Sequence, residues 1–302
     1  MPPRSGPGWR RTREASTLRR TTCRGELAMP TLTLPTGATV AYAETGGGTP
    51  VILVHGSPGE GRSWGRVARH LGDGLRQLTP DLPGYGQSTP LPDATTPAAR
   101  TAAMADAVSA VIRACDAPVY LCGHSYGGNV ALHAAAANAA IVRGCVLLEP
   151  VFFRALALAG DTTTLQAATT YFSDYIARVQ AGEPEIIRRM VDFWFGDGAY
   201  ARLPPPVQQF LAGAAGSNAR DVAGSMAEAL SRDALATLRA PVIVGYGGAS
   251  PPVVPAIARA LAGILPNART TTIEQATHGM LDSHPEQVAG LIRQLCADAT
   301  PG

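Results

Sequence analysis

The chain has 302 residues, enough for one large α/β domain with an insertion or for two domains, and 46% hydrophobic against 16% charged residues describes a globular protein with ample core. No apolar stretch approaches the roughly 20 residues of a membrane helix, which excludes a helical bilayer span. All 25 basic residues are arginine, which excludes Schiff-base catalysis and a lysine-bearing P-loop, and the formal charge of +2 gives a nucleic-acid partner no support.

Residues 1–28 hold seven Arg and two Glu, a net +5, which leaves the remainder mildly acidic at −3. The segment has no apolar periodicity and no hydrophobic region that could turn Arg10-Arg11 or Arg19-Arg20 into part of a secretory signal. It reads as a disordered tail, against the alternative of a basic arm for an acidic partner. Met29 stands directly before the first strand-like run and is a candidate start alongside Met1. The five cysteines (Cys23, Cys115, Cys122, Cys145, Cys296) are odd in number and lack metal-type spacing. They read as buried, reduced thiols of a cytoplasmic protein.

Strand signals at 31–34 and 39–43 flank a Pro-Thr-Gly turn, a hairpin pattern. The run Val51-Ile52-Leu53-Val54 is apolar on both faces, as suits a covered parallel strand, and ends in His55-Gly56-Ser57-Pro58-Gly59. The pattern then predicts a helix over 62–71, a strand over 75–79 and a helix over 101–115. A strand over 118–122 feeds Gly123-His124-Ser125-Tyr126-Gly127, and the small-residue run 129–140 follows as a helix. Residues 144–148 form a further strand, ending at Glu149-Pro150.

Strand-helix alternation stops over 151–238, where several helices are expected, broken at Gly182, 196–198, 204–206 and 213–216. All six phenylalanines lie there with Trp194 and three tyrosines, which reads as the core of a small helical lid. Phe152, Phe153 and Trp194 are candidates to line a pocket beneath it. Alternation resumes with a strand over 241–244, a helix over 254–265, a strand over 269–273 and a closing helix over 285–296. The expected division is a tail (1–28), a core in two parts (29–150 and 239–302) and the lid (151–238).

Gly123-x-Ser125-x-Gly127 between a strand and a helix suits a strained turn that lifts the serine Oγ clear of the sheet, beside the positive end of the helix. A serine hydroxyl is a weak nucleophile and needs a base within hydrogen-bond reach, itself oriented by a carboxylate. His278 is the best base, because it follows the last strand and so stands at the C-terminal edge of the sheet. His124 is locked in the turn, His70 and His133 sit on helices, His284 caps the closing helix, and His55 braces its loop. A tetrahedral oxyanion needs two preorganised donors. The backbone N–H of Tyr126 supplies one and that of Ser57 the other.

His55-Gly56-x-Pro58-Gly59, then Asp81-Leu82-Pro83-Gly84-Tyr85-Gly86-x-Ser88, then Gly123-His124-Ser125-x-Gly127-Gly128, then His278-Gly279 stand in this order. In these motifs residues 30–300 resemble the α/β-hydrolase family, specifically its lid-bearing serine hydrolases. The resemblance implies an α/β fold with a mostly parallel eight-stranded sheet flanked by helices, and a helical lid inserted after the sixth strand. The departure lies in the acid. The family usually carries it as Gly-x-x-Asp after the strand that follows the lid, where this chain reads Gly245-Tyr246-Gly247-Gly248-Ala249-Ser250. No Asp or Glu occurs from 234 to 273. Some relatives, including one group of haloalkane dehalogenases, instead place a glutamate at the end of the strand before the lid. That assigns the third member of the triad to Glu149, with Asp282 or no acid as alternatives and an arginine-paired hinge carboxylate as the bland reading of Glu149.

Dehalogenases and epoxide hydrolases of the family use an aspartate at the elbow, whereas Ser125 points to an acyl-enzyme. The sequence therefore reads as a carboxylesterase-like serine hydrolase acting on a small, mainly apolar ester, with Ser125, His278 and Glu149 catalytic and the Ser57 and Tyr126 amides in the oxyanion hole. It calls for no cofactor and no metal, a small-molecule substrate and no nucleic acid, and leaves the oligomeric state open. The rival readings are a C–C bond hydrolase or acyltransferase with the same residues, and a catalytically silent ligand-binding protein.

Overall fold

The computed structural model describes residues 29–298, so the expected tail, its tail-borne Cys23 and the last four residues lie outside the described part. Within it one sheet contains β1 (Thr31–Thr33), β2 (Thr39–Thr45), β3 (Thr49–Val54), β4 (Leu75–Pro80), β5 (Val119–His124), β6 (Val142–Leu148), β7 (Val242–Gly247) and β8 (Ala268–Ile273). The order is β1-β2-β4-β3-β5-β6-β7-β8. β1 and β2, and β2 and β4, pair antiparallel; every other pair is parallel.

Side chains alternate across a strand, so each central strand feeds two cores. Ile52, Val54, Leu121, Leu147 and Val244 point to one side, where α2 (Pro97–Ala114), α3 (Tyr126–Ala137) and α9 (Val253–Ile264) cover the sheet. Val51, Leu53, Cys122, Val146 and Ile243 point to the other, beneath α1 (Gly65–Leu71) and α11 (Pro285–Asp298). This double cover is why the central strands read as unbroken apolar runs. The helix expected over 62–71 is split into a 3-10 turn at Gly61–Trp64 and α1. α2 begins earlier than the periodicity indicated because Pro97 fits the first helical turn, where no N–H is needed.

Between β6 and β7 stand α4 (Arg154–Ala159), α5 (Thr162–Gln180), α6 (Ile187–Phe195), α7 (Pro205–Ala227) and α8 (Arg232–Ala236). The break expected at 213–216 does not occur: α7 runs through Gly213 and Gly216. Each glycine costs a helix about 1 kcal/mol, and the packing of α7 along α2 and α5 outweighs it. Gly224 makes that packing close, since a Cβ there would lie 3.2 Å from the Arg100 Cβ. Cys115, Cys122 and Cys145 are buried thiols, and Cys296 is half-buried. Among the described residues no helix is long and apolar enough to cross a membrane.

The parallel register pairs Val54 with Gly123, Gly123 with Leu147, and Leu147 with Val244. The strands therefore end together on one edge. That edge brings the loops after β3, β5, β6, β7 and β8 side by side.

Candidate active site

Ser125 joins β5 to α3 with φ 56° and ψ −124°, a conformation disfavoured for a residue with a Cβ. The flanking glycines follow from crowding. A Cβ on Gly123 would stand 2.3 Å from the Gly127 carbonyl oxygen, and one on Gly127 would stand 2.2 Å from that of His55. Only glycine fits at both positions, which explains the G-x-S-x-G spacing physically. The Ser125 N–H donates to the Leu148 carbonyl at 2.9 Å and so ties the bend to β6.

Glu149 follows β6 with φ 46° and turns its side chain toward the loop after β8. Its Oε2 lies 2.6 Å from His278 Nδ1. Its Oε1 accepts from the Gly247 N–H at 2.7 Å and from the Ser250 hydroxyl at 2.5 Å. Burial opposes ionisation of this carboxyl, but the hydrogen bonds from His278, Ser250 and Gly247 outweigh it and hold its pKa below the ordinary value. A carboxylate only accepts, so the imidazole proton sits on Nδ1 and Nε2 presents a lone pair. Asp282, the alternative acid, is not part of this cluster: its side chain is 76% exposed and pairs with Arg66 at 3.2 Å.

Ser250 occupies the position where the usual aspartate was missed in the sequence, and its hydroxyl serves the relocated carboxylate. Sequence reasoning did not assign it that task, although a hydroxyl at the vacated position was the available signal. His124 was likewise given no role beyond the turn. Its Nε2–H donates to the His278 carbonyl at 2.9 Å, and burial, with the nearby His278, lowers its pKa to about 3. His124 is therefore a neutral brace for the loop that carries His278. His55 acts as expected, bridging two loops. Its Nε2 accepts from the Leu82 N–H at 2.9 Å and its Nδ1–H donates to the Gly56 carbonyl at 2.8 Å.

Trp194 stacks on the His278 ring with centroids 4.6 Å apart, and Phe195 meets the same ring edge-on at 5.6 Å. Of the aromatics expected at the pocket, Trp194 and Phe153 line cavity walls. Phe152 does not: it is fully buried against His133, because its side chain faces α3 instead of the sheet edge.

Ser57 is held by its oxygens. Its carbonyl accepts from Asn218 Nδ2 at 3.0 Å, and its hydroxyl meets the Tyr85 hydroxyl at 2.9 Å. These bonds do not use its amide N–H. Tyr126 opens α3, so its N–H is one of the donors that a helix leaves without an internal partner. Both residues border the same small space as Ser125. Behind them lies a buried network in which Asp221 accepts from the Tyr85 hydroxyl and from Arg100 Nε at 2.6 Å. Among the described residues no group of three or more His, Cys, Asp or Glu side chains is placed to hold a metal ion.

A cavity of about 550 Å³ opens over Ser125 and His278, with Trp194, Ile187, Val191 and Leu211 among its walls. The arrangement places a strained serine, a histidine with a carboxylate behind it, and unassigned backbone donors at the mouth of an apolar cavity. Acyl transfer through the serine is the chemistry these parts can perform.

Residues 51–291 match the model of the alpha/beta hydrolase family. Lipase LipV of Mycobacterium tuberculosis is 34% identical over 52% of this chain, a match that spans 53% of that lipase. A pimeloyl-[acyl-carrier protein] methyl ester esterase of Stenotrophomonas maltophilia is 27% identical over 85% of this chain and 96% of its own length. The solved structure of a thermophilic esterase from Thermogutta terrifontis superposes with a TM-score of 0.68 at 26% identity, covering 91% of this chain and 99% of that one.

Proposed function

The chain belongs to the alpha/beta hydrolase family, and from that premise we propose that it is a serine hydrolase cleaving a small, mainly apolar carboxylic ester through an acyl-enzyme on Ser125. Similarity to esterases and lipases supports ester hydrolysis. The observation that carries the residue assignment is the 2.6 Å hydrogen bond between His278 Nδ1 and Glu149, set beside the strained Ser125.

In this mechanism the Ser125 Oγ attacks the ester carbonyl carbon while its proton passes to His278 Nε2. The oxyanion is held by the Ser57 and Tyr126 amides, and Glu149 stabilises the imidazolium without taking its proton. The leaving oxygen departs with the proton from His278, giving the acyl-enzyme and an alcohol. Water then attacks the acyl carbon, gives its proton to His278, and the collapse returns that proton to Ser125 and releases the acid. The face of Trp194 stacked on His278 favours the imidazolium in both halves.

The helices α4 to α8 form the lid in this reading, with residues 29–150 and 239–302 as the two parts of the core. The buried thiols of Cys115, Cys122 and Cys145 support a reducing compartment, the cytoplasm. Geometry at Glu149 weighs against a silent binding protein, because its contact with His278 Nδ1 holds the imidazole in the tautomer whose Nε2 can take a proton from a serine. The test is hydrolysis of chromogenic esters by the purified protein. Turnover that Ser125→Ala removes is expected; turnover that survives it refutes the assignment.

A further inference from the structure

Two cavities meet at Ser125, and they differ greatly in size, about 550 Å³ against about 20 Å³. Ser57, Ser125, Met190 and Trp194 line both and mark the neck between them. His278 lines only the large cavity. Phe153, Phe172, Asn218, Asp221, Val222 and Ser225 line only the small one.

An ester bound at Ser125 sends its two halves in different directions from the carbonyl carbon. The leaving oxygen must receive its proton from His278, so the alcohol half lies on the side His278 lines. The acyl half then enters the small cavity. Ser57 and Tyr126 also border this space of about 20 Å³, so it takes the carbonyl oxygen beside their amides and about a carbon or two of the acyl chain. We infer that the enzyme selects short acyl groups, acetyl or propionyl, carried on bulky apolar alcohols. This inference rests on the proposed serine esterase reading and adds the substrate class to it.

The floor of the small cavity is built to keep that limit. Asn218, Asp221 and Ser225 fall on one face of α7 and are each held by a partner. Asn218 accepts from the Tyr175 hydroxyl at 2.8 Å, Asp221 is fixed by Arg100 and Tyr85, and Ser225 accepts from Asn129 at 3.4 Å. A longer apolar chain would have to break these buried bonds or press against the Asp221 carboxylate. Met190, Ile187, Val191, Leu203 and Val207 give the large cavity apolar walls that suit a bulky alcohol.

The experiment measures kcat/KM for 2-naphthyl acetate, propionate, butyrate and hexanoate, and for methyl, butyl, cyclohexyl and 2-naphthyl acetate. Each methylene beyond propionyl is expected to lower kcat/KM about tenfold or more, and larger alcohols to raise it. Val222→Ala, which trims one wall of the small cavity, is expected to improve the butyrate-to-acetate ratio about tenfold in a protein with wild-type circular dichroism. A kcat/KM that rises to hexanoate, or a folded Val222→Ala with an unchanged acyl profile, overturns the inference while leaving the serine esterase reading intact. Absence of Ser125-dependent hydrolysis across both series overturns that reading and this inference with it.

Discussion

Replacing Glu149 with glutamine changes one atom of the acid and leaves the volume nearly unchanged. Glu149 Oε1 accepts from the Gly247 N–H and the Ser250 hydroxyl, so the oxygen of a glutamine amide is drawn to those two donors. Its NH2 group is then forced toward His278 Nδ1, where the carboxylate oxygen stands at 2.6 Å. Two donors cannot share that contact. The imidazole must move its proton to Nε2, which then carries an N–H instead of the lone pair that takes the Ser125 proton in the proposed mechanism. Such a wrong tautomer lowers kcat about 10⁴-fold, or about 5 kcal/mol of transition-state stabilisation. Steady-state kinetics on a short ester should record that fall in kcat with KM little changed, and circular dichroism should record an intact fold. A kcat within tenfold of wild type would refute the reasoning, because His278 would then not depend on this carboxylate.

Ser250 stands where an acid could be restored, so Ser250→Asp added to Glu149→Ala should recover at least tenfold of the turnover lost in Glu149→Ala alone; no recovery in a folded double variant would show that the loop after β7 cannot aim a carboxylate at His278. Trp194→Leu removes the ring face stacked on His278 and should lower kcat about tenfold, the worth of a desolvated cation–π contact of about 1–2 kcal/mol, a loss measurable on the same short ester. Stability should also depend on pH through His124. Its folded pKa is depressed from 6.5 to about 3, so its contribution is full above pH 6.5 and is lost as pH falls toward 3. Between pH 6.5 and 5 the accumulated loss reaches about 2 kcal/mol, and urea unfolding of His124→Asn should show a correspondingly flatter pH dependence than wild type.

The turn at Ser125 was legible in the sequence because its glycines answer to local crowding that any such strand-turn-helix imposes. His278 was legible by its place after the last strand, and the parallel register explains why that place converges on Ser125. Glu149 came into view only because the usual loop is empty of acids and a resemblance supplied the alternative. What stayed hidden depends on residues far apart in the chain. Asp221 meets Arg100 and Tyr85 across 121 and 136 positions, and no periodicity encodes such a pairing. The unbroken α7 was hidden for a similar reason, since glycine propensity is local and the packing that overrides it is not. The aromatic content of 151–238 marked a cluster without saying which rings face the cavity, hence the misplacement of Phe152.

The central claim is that Ser125 becomes covalently acylated. Intact-protein mass spectrometry after treatment with a fluorophosphonate, followed by peptide mapping, tests it most directly. One adduct per chain is expected, on the peptide that contains Ser125, slowed greatly in Glu149→Gln and absent in Ser125→Ala. An adduct on another residue, or none while the protein hydrolyses esters, would contradict it.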